Sequence, residues 1–214
     1  MSFKAVLGFF ASLAITALLS AGAALAEPIK LVGFGDSLMA GYQLPASDAF
    51  PVKLEAALKA KGYDVEITNA GVSGDTSSGG LARLDWSVPD GTKGVILELG
   101  ANDALRGIAP EETEKNIDAM LTRLKERGIA VLLAGMLAPP NMGADYEKRF
   151  NGIYQRMAEK HGVALYPFFL DGVAAQADLQ IDDGMHPNPA GVDVMVAKIL
   201  PTAEAFLKSV IAGE

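Results

Sequence analysis

The chain has 214 residues, a formal charge of −8, two histidines and no cysteine. An acidic balance argues against nucleic acid and anionic membrane surfaces as partners. The absence of cysteine excludes disulfides and a closed thiolate metal site.

Residues 1–26 read as a secretory signal peptide: Lys4, an apolar run over 6–19, then Ala24-Leu25-Ala26 ahead of Glu27-Pro28. The competing reading is an uncleaved anchor, since 5–26 is long enough to span a bilayer. The Ala-x-Ala site and the polar Ser12, Thr16 and Ser20 favour cleavage, and hence a periplasmic or secreted product without a stable membrane anchor. Of the 214 residues 188 then remain, as one domain over 27–214, and loss of Lys4 moves the charge from −8 to −9.

Along that domain, 29–34 reads as a buried strand and 51–61 as an amphipathic helix stopped by Gly62. Residues 64–69 form a second strand, followed by a glycine- and serine-rich loop over 71–80, of which 75–80 offers a mobile wall for a site. Residues 93–99 are a strongly apolar third strand. The helix over 111–127 carries Ile117, Met120, Leu121 and Leu124 at helical spacing, with acids in its first turn and bases in its last, as the helix dipole favours. Gly128 ends it, and 129–134 is the fourth strand. A helix over 145–160 closes at His161-Gly162, and 163–166 is a short fifth strand. The last helix covers 189–208, where Pro201 should kink or divide it. Apolar strands alternating with amphipathic helices imply an α/β fold, a five-stranded parallel sheet covered on both faces in three layers.

Ligands of such sheets bind outside the carboxyl ends of the strands, and the notable polar residues fall there. Gly35-Asp36-Ser37-Leu38 follows strand one and offers a nucleophile at the start of a helical turn, although a serine after a strand is also a common helix cap. The pattern fails the nucleophile elbow at Met39 and the dinucleotide fingerprint at Leu38. Gly74 lies in the loop after strand two, where a glycine lets a backbone N–H approach a substrate oxygen; a flexible connection reads equally well. Asn102, in Leu99-Gly100-Ala101-Asn102-Asp103, carries a neutral donor suited to an oxyanion, or else makes an Asn–Asp turn. Asp183-Gly184-Met185-His186 is the most specific block: three residues of separation let one turn carry an imidazole and the carboxylate that orients it. Adjacent Asp182 competes for that role. His161, at a helix end, reads as structural or surface. A metal held by Asp182, Asp183 and His186 is a poor reading, because no second histidine stands at ligand spacing.

These four blocks, in this order, resemble the SGNH hydrolases, or GDSL esterases and lipases. By position the Ser is Ser37, the Gly Gly74, the Asn Asn102 and the His His186, with Asp183 matching the triad aspartate. Residues 69–76, 99–107 and 182–188 resemble the bacterial thioesterase I, lysophospholipase and arylesterase branch. The resemblance implies a flavodoxin-like sheet of order 2-1-3-4-5 and a serine esterase needing no cofactor or metal. Ser37 would attack the carbonyl, His186 shuttle the proton and Asp183 orient the imidazole. The N–H groups of Ser37 and Gly74, with the Asn102 amide, would form the oxyanion hole. Expected substrates are acyl esters, lysophospholipids or acyl thioesters, met by a monomer. Leu105, Ile108, Met136, Leu137, Pro139, Pro140 and Met142, after strands three and four, supply an apolar groove for the acyl chain. A carbohydrate O-deacetylase or a non-catalytic periplasmic binding module are the alternatives.

Overall fold

Five short runs become strands of one sheet, the central ones because they can bury apolar side chains on both faces between layers of helix. The computed structural model describes residues 27–213, so the signal-peptide reading falls outside it. The strands are β1 (Ile29–Gly35), β2 (Val65–Gly71), β3 (Gly94–Glu98), β4 (Ala130–Ala134) and β5 (Ala164–Tyr166). They form one sheet of order β2-β1-β3-β4-β5, with every neighbouring pair parallel. Central β3 is buried along its whole length. Edge strand β2 alternates instead, with Val65 and Ile67 inward and Glu66 and Thr68 exposed, the pattern of a strand with one wet face.

The helices are α1 (Ser37–Ala40), α2 (Phe50–Ala60), α3 (Ser77–Ser87), α4 (Ala101–Leu105), α5 (Pro110–Glu126), α6 (Ala144–Phe150), α7 (Ile153–His161) and α8 (Pro189–Ala212). α2 and α8 pack together as one layer, while α3, α6 and α7 pack on α5. In α5, Ile117, Met120, Leu121 and Leu124 are all buried. Complete burial of each such side chain contributes roughly 1.5–3 kcal/mol. Among the described residues no helix is long and apolar enough to cross a membrane.

Three elements differ from the sequence reading. Residues 77–80 are not loop but the start of α3: the Thr76 hydroxyl caps it by accepting the Gly79 N–H at 3.3 Å. Gly80 is there because a Cβ would run into Leu99. The segment is also pinned, since Asp75 pairs with buried Arg83 at 2.6 Å and Ser77 is fully buried; a mobile wall is not what these contacts make. The helix expected over 145–160 breaks at Asn151-Gly152, where the Asn151 side chain turns aside to accept the Ala138 N–H at 2.8 Å. Conversely, α8 runs unbroken through Pro201. Val196 and Ile199 before the proline, and Ala203 and Phe206 after it, are buried on the same helix, so packing outweighs one lost backbone bond.

Candidate active site

β1 ends at Gly35, and the chain turns at once into α1. Asp36 makes the turn by capping the helix, its Oδ1 accepting the Leu38 N–H at 3.0 Å. Ser37 is the first residue of α1 and is largely buried, with its hydroxyl at the floor of a crevice.

The second half of the site comes from the segment before α8. The Asp183 carboxylate accepts the N–H groups of Met185 at 2.9 Å and His186 at 3.0 Å through Oδ1. Its Oδ2 lies 2.6 Å from His186 Nδ1. That contact assigns the proton to Nδ1 and leaves Nε2, 2.8 Å from Ser37 Oγ, free to accept the hydroxyl proton. Burial raises the Asp183 pKa, but the two backbone N–H groups and the imidazole outweigh it and hold the carboxyl below its ordinary range. Gly184, at φ +68°, permits the tight turn. The Tyr42 ring lies against the imidazole, centroids 4.6 Å apart. Asp182 makes none of these bonds with His186. His161 is remote from them, bonded to Asp118 at 2.6 Å on α5.

Asn102 stands on α4 with its Nδ2 donating to Asp36 Oδ2 at 3.0 Å. An amide nitrogen carries two protons, so one N–H remains for another acceptor. Gly74, at φ +84°, lines the same crevice, and its carbonyl accepts from Arg106 at 2.8 Å. Ser37, Gly74 and Asn102 thus face one space.

That space is a crevice of about 920 Å³. Leu105, Met136, Leu137, Pro139 and Pro140 line it, as the sequence suggested. Ile108 and Met142 do not. The Ile108 carbonyl is tied to the Tyr146 hydroxyl at 2.7 Å, and Met142 packs against the core. The sequence reading also omitted further lining residues: Phe168, Leu170, Ala174 and Ala175, which follow β5, and Met185 beside the histidine. The apolar run at 168–170 was the available signal, because the strand-end rule applies to β5 as to the others.

Four buried polar groups also escaped the sequence reading. Arg83 donates to the Ala70 and Gly35 carbonyls, each at 2.8 Å, and stacks over Phe34 at 4.1 Å, which ties together the ends of β1 and β2. Asp103 accepts from the Ser77 N–H at 2.8 Å, the Ser77 hydroxyl at 2.5 Å and the Thr113 hydroxyl at 3.0 Å. It thereby fixes α4 to α3 and α5. Glu98, at the end of β3, accepts the Asp36 N–H at 3.2 Å. Glu98 and Asp36 are both fully buried and set their carboxyl groups against each other. Burial, then the charge of Asp36, pushes Glu98 well above the carboxylate range; burial lifts Asp36 to about 6.

Residues 34–194 match the GDSL-like lipase/acylhydrolase family. An arylesterase of Vibrio mimicus is 42% identical over 161 residues, 75% of this chain and 80% of that protein. Thioesterase 1/protease 1/lysophospholipase L1 of Escherichia coli is 35% identical over 206 residues, 94% of this chain and 97% of that protein. Among solved structures, the SGNH-hydrolase family esterase AlinE4 superposes with a TM-score of 0.72 at 44% identity, covering 86% of this chain and 98% of the other. The chain belongs to the GDSL/SGNH family of ester-hydrolysing enzymes.

Proposed function

We propose that this protein is an exported serine esterase that works through an acyl-enzyme intermediate, with Ser37, His186 and Asp183 as its triad. One observation carries the reading: the continuous hydrogen-bonded run from Ser37 Oγ to His186 Nε2 at 2.8 Å and from His186 Nδ1 to Asp183 at 2.6 Å. His186 takes the hydroxyl proton as Ser37 Oγ attacks the carbonyl carbon. The resulting imidazolium is stabilised by Asp183 and then protonates the departing alkoxide or thiolate. Water, deprotonated by the same imidazole, releases the acid and restores Ser37. The carbonyl oxygen, negative in each tetrahedral intermediate, meets the N–H groups of Ser37 and Gly74 and the Asn102 amide.

The apolar crevice suits a medium acyl chain, and relatives named arylesterase and thioesterase/lysophospholipase support acyl esters, lysophospholipids and thioesters as substrates. The signal pattern in residues 1–26 supports export, and we take the mature enzyme to be a monomer. A fluorophosphonate probe tests the core of the reading. It is expected to label the peptide containing Ser37 stoichiometrically and to abolish ester hydrolysis. Labelling elsewhere, or full activity after labelling, refutes it.

A further inference from the structure

Glu98 is an expensive residue. Its neighbours Val95, Ile96, Leu97 and Leu99 are apolar and at most 1% exposed, and Glu98 itself is 0% exposed. A carboxyl in such a place is costly unless it is paired, and among the described residues its Oε1 has no hydrogen-bond partner. The hydrogen bonding of this carboxyl runs to Asp36: it accepts the Asp36 N–H and meets the Asp36 carboxyl. The backbone is cut away to allow this, because a Cβ at Gly35 would lie 2.5 Å from Glu98 Oε2. Asp36 in turn spends one oxygen on the Leu38 N–H, which sets α1 and Ser37, and the other on the Asn102 amide.

We infer that Glu98 is a positioning residue that acts through Asp36 to hold the Asn102 amide, and with it one donor of the oxyanion hole, at the reacting centre. Glu98 accepts the Asp36 N–H at 3.2 Å and so holds the backbone from which the Asp36 carboxyl reaches Asn102. The Asp36 Oδ2 that accepts from Nδ2 fixes which way the amide points, nitrogen towards Asp36, and its second N–H is thereby aimed. An apolar residue at position 98 would leave Asp36 without this support, and the amide would lose its fixed orientation. The inference rests on the proposed roles of Ser37 and Asn102.

The test is a double-mutant cycle in which kcat is expressed per serine titrated with a fluorophosphonate. Glu98→Leu is expected to lower kcat about ten-fold with KM within about two-fold, since an oxyanion donor acts mainly in the transition state. Glu98→Gln keeps an acceptor of the same shape for the Asp36 N–H and should recover most of the loss. In an Asn102→Ala background, Glu98→Leu should change kcat less than about two-fold, because the group it acts through is gone. Asp36→Asn, which sets an amide nitrogen against Asn102 or abandons Leu38, should show the same loss and the same non-additivity, and it carries the test if Glu98→Leu does not fold. A merely structural Glu98 would lower the titratable fraction and leave kcat per titrated serine unchanged. That result, or losses that add to those of Asn102→Ala, overturns the inference. Failure of the probe to label Ser37 in the wild type overturns the proposed function and this inference together.

Discussion

The two halves of the site are built on opposite plans. The half that carries Ser37 and Asn102 lies over buried polar groups, Asp36, Glu98, Asp103 and Arg83, whose partners lie on other elements. The half that carries His186 is a surface turn whose Asp183 bonds span three residues or fewer, closed by the Ile181 N–H to the His186 carbonyl at 2.9 Å. In the first half the fold defines the geometry, so catalysis and stability are coupled. In the second, the local chain defines it, and the two separate.

The largest expected effect exploits that separation. His186→Ala is expected to cut kcat by about 10⁴-fold or more and to lower the melting temperature little, since the side chain meets only Asp183, Ser37 and the half-exposed ring of Tyr42. Ser37→Ala should match it in activity. Thermal unfolding monitored by circular dichroism beside ester hydrolysis checks both; a large fall in melting temperature for His186→Ala would break the contrast. Asn102→Ala comes next, with kcat lowered about 10²–10³-fold and KM little changed. A raised KM at constant kcat would make Asn102 a ground-state binder instead.

On the networked side, Asp103→Ala leaves the Ser77 N–H and the Ser77 and Thr113 hydroxyls without their acceptor. Stranding buried donors of this kind costs about 3 kcal/mol in all, readable as a lower urea midpoint at unchanged slope. Asp36 adds a pH dependence. Its carboxyl titrates at about 6 in the folded protein against 3.8 for an unperturbed one, chiefly because it is buried. The folded state therefore holds this proton more tightly than the unfolded state. The associated stability is fully present below about pH 3.8 and is lost as pH rises through about 6. Asp36→Asn does not titrate at this position, so its stability relative to wild type should climb between pH 4 and 7. A constant difference across that range would show that Asp36 does not carry the charge.

The same contrast explains what was legible in the sequence. Alternating apolar strands and amphipathic helices record burial directly, so the sheet, its helical layers and α5 with its buried face were readable. The Asp183 to His186 turn was readable because the bonds that orient the imidazole on Asp183 lie within four residues. Glu98 looked like the polar end of a strand, since its link to Asp36 crosses 62 residues and depends on the register of β3 beside β1. The start of α3 was hidden for a related reason. Ser77, Ser78, Gly79 and Gly80 have loop propensities, and their helix is stabilised by Asp103 and by space against Leu99, neither of which is local. Pro201 misled in the opposite direction, because a local helix breaker is overridden by apolar packing on either side of it.

The smallest effect concerns the crevice, where the two halves meet. Leu105, Leu137, Leu170 and Met185 all line it, and Leu105, Leu137 and Met185 are half-exposed apolar side chains. An acyl chain laid along them covers that apolar surface. Each added methylene that leaves water contributes up to about 0.8 kcal/mol, a few-fold in kcat/KM when it is expressed in the transition state. With p-nitrophenyl esters, kcat/KM should therefore rise from acetyl through medium chains and level off where the crevice is filled. Leu137→Ala, which removes apolar lining, should flatten that rise. A flat profile from acetyl to decanoyl would remove the acyl groove from the proposal. A strong preference for acetyl esters would turn it towards the removal of acetyl groups from sugars.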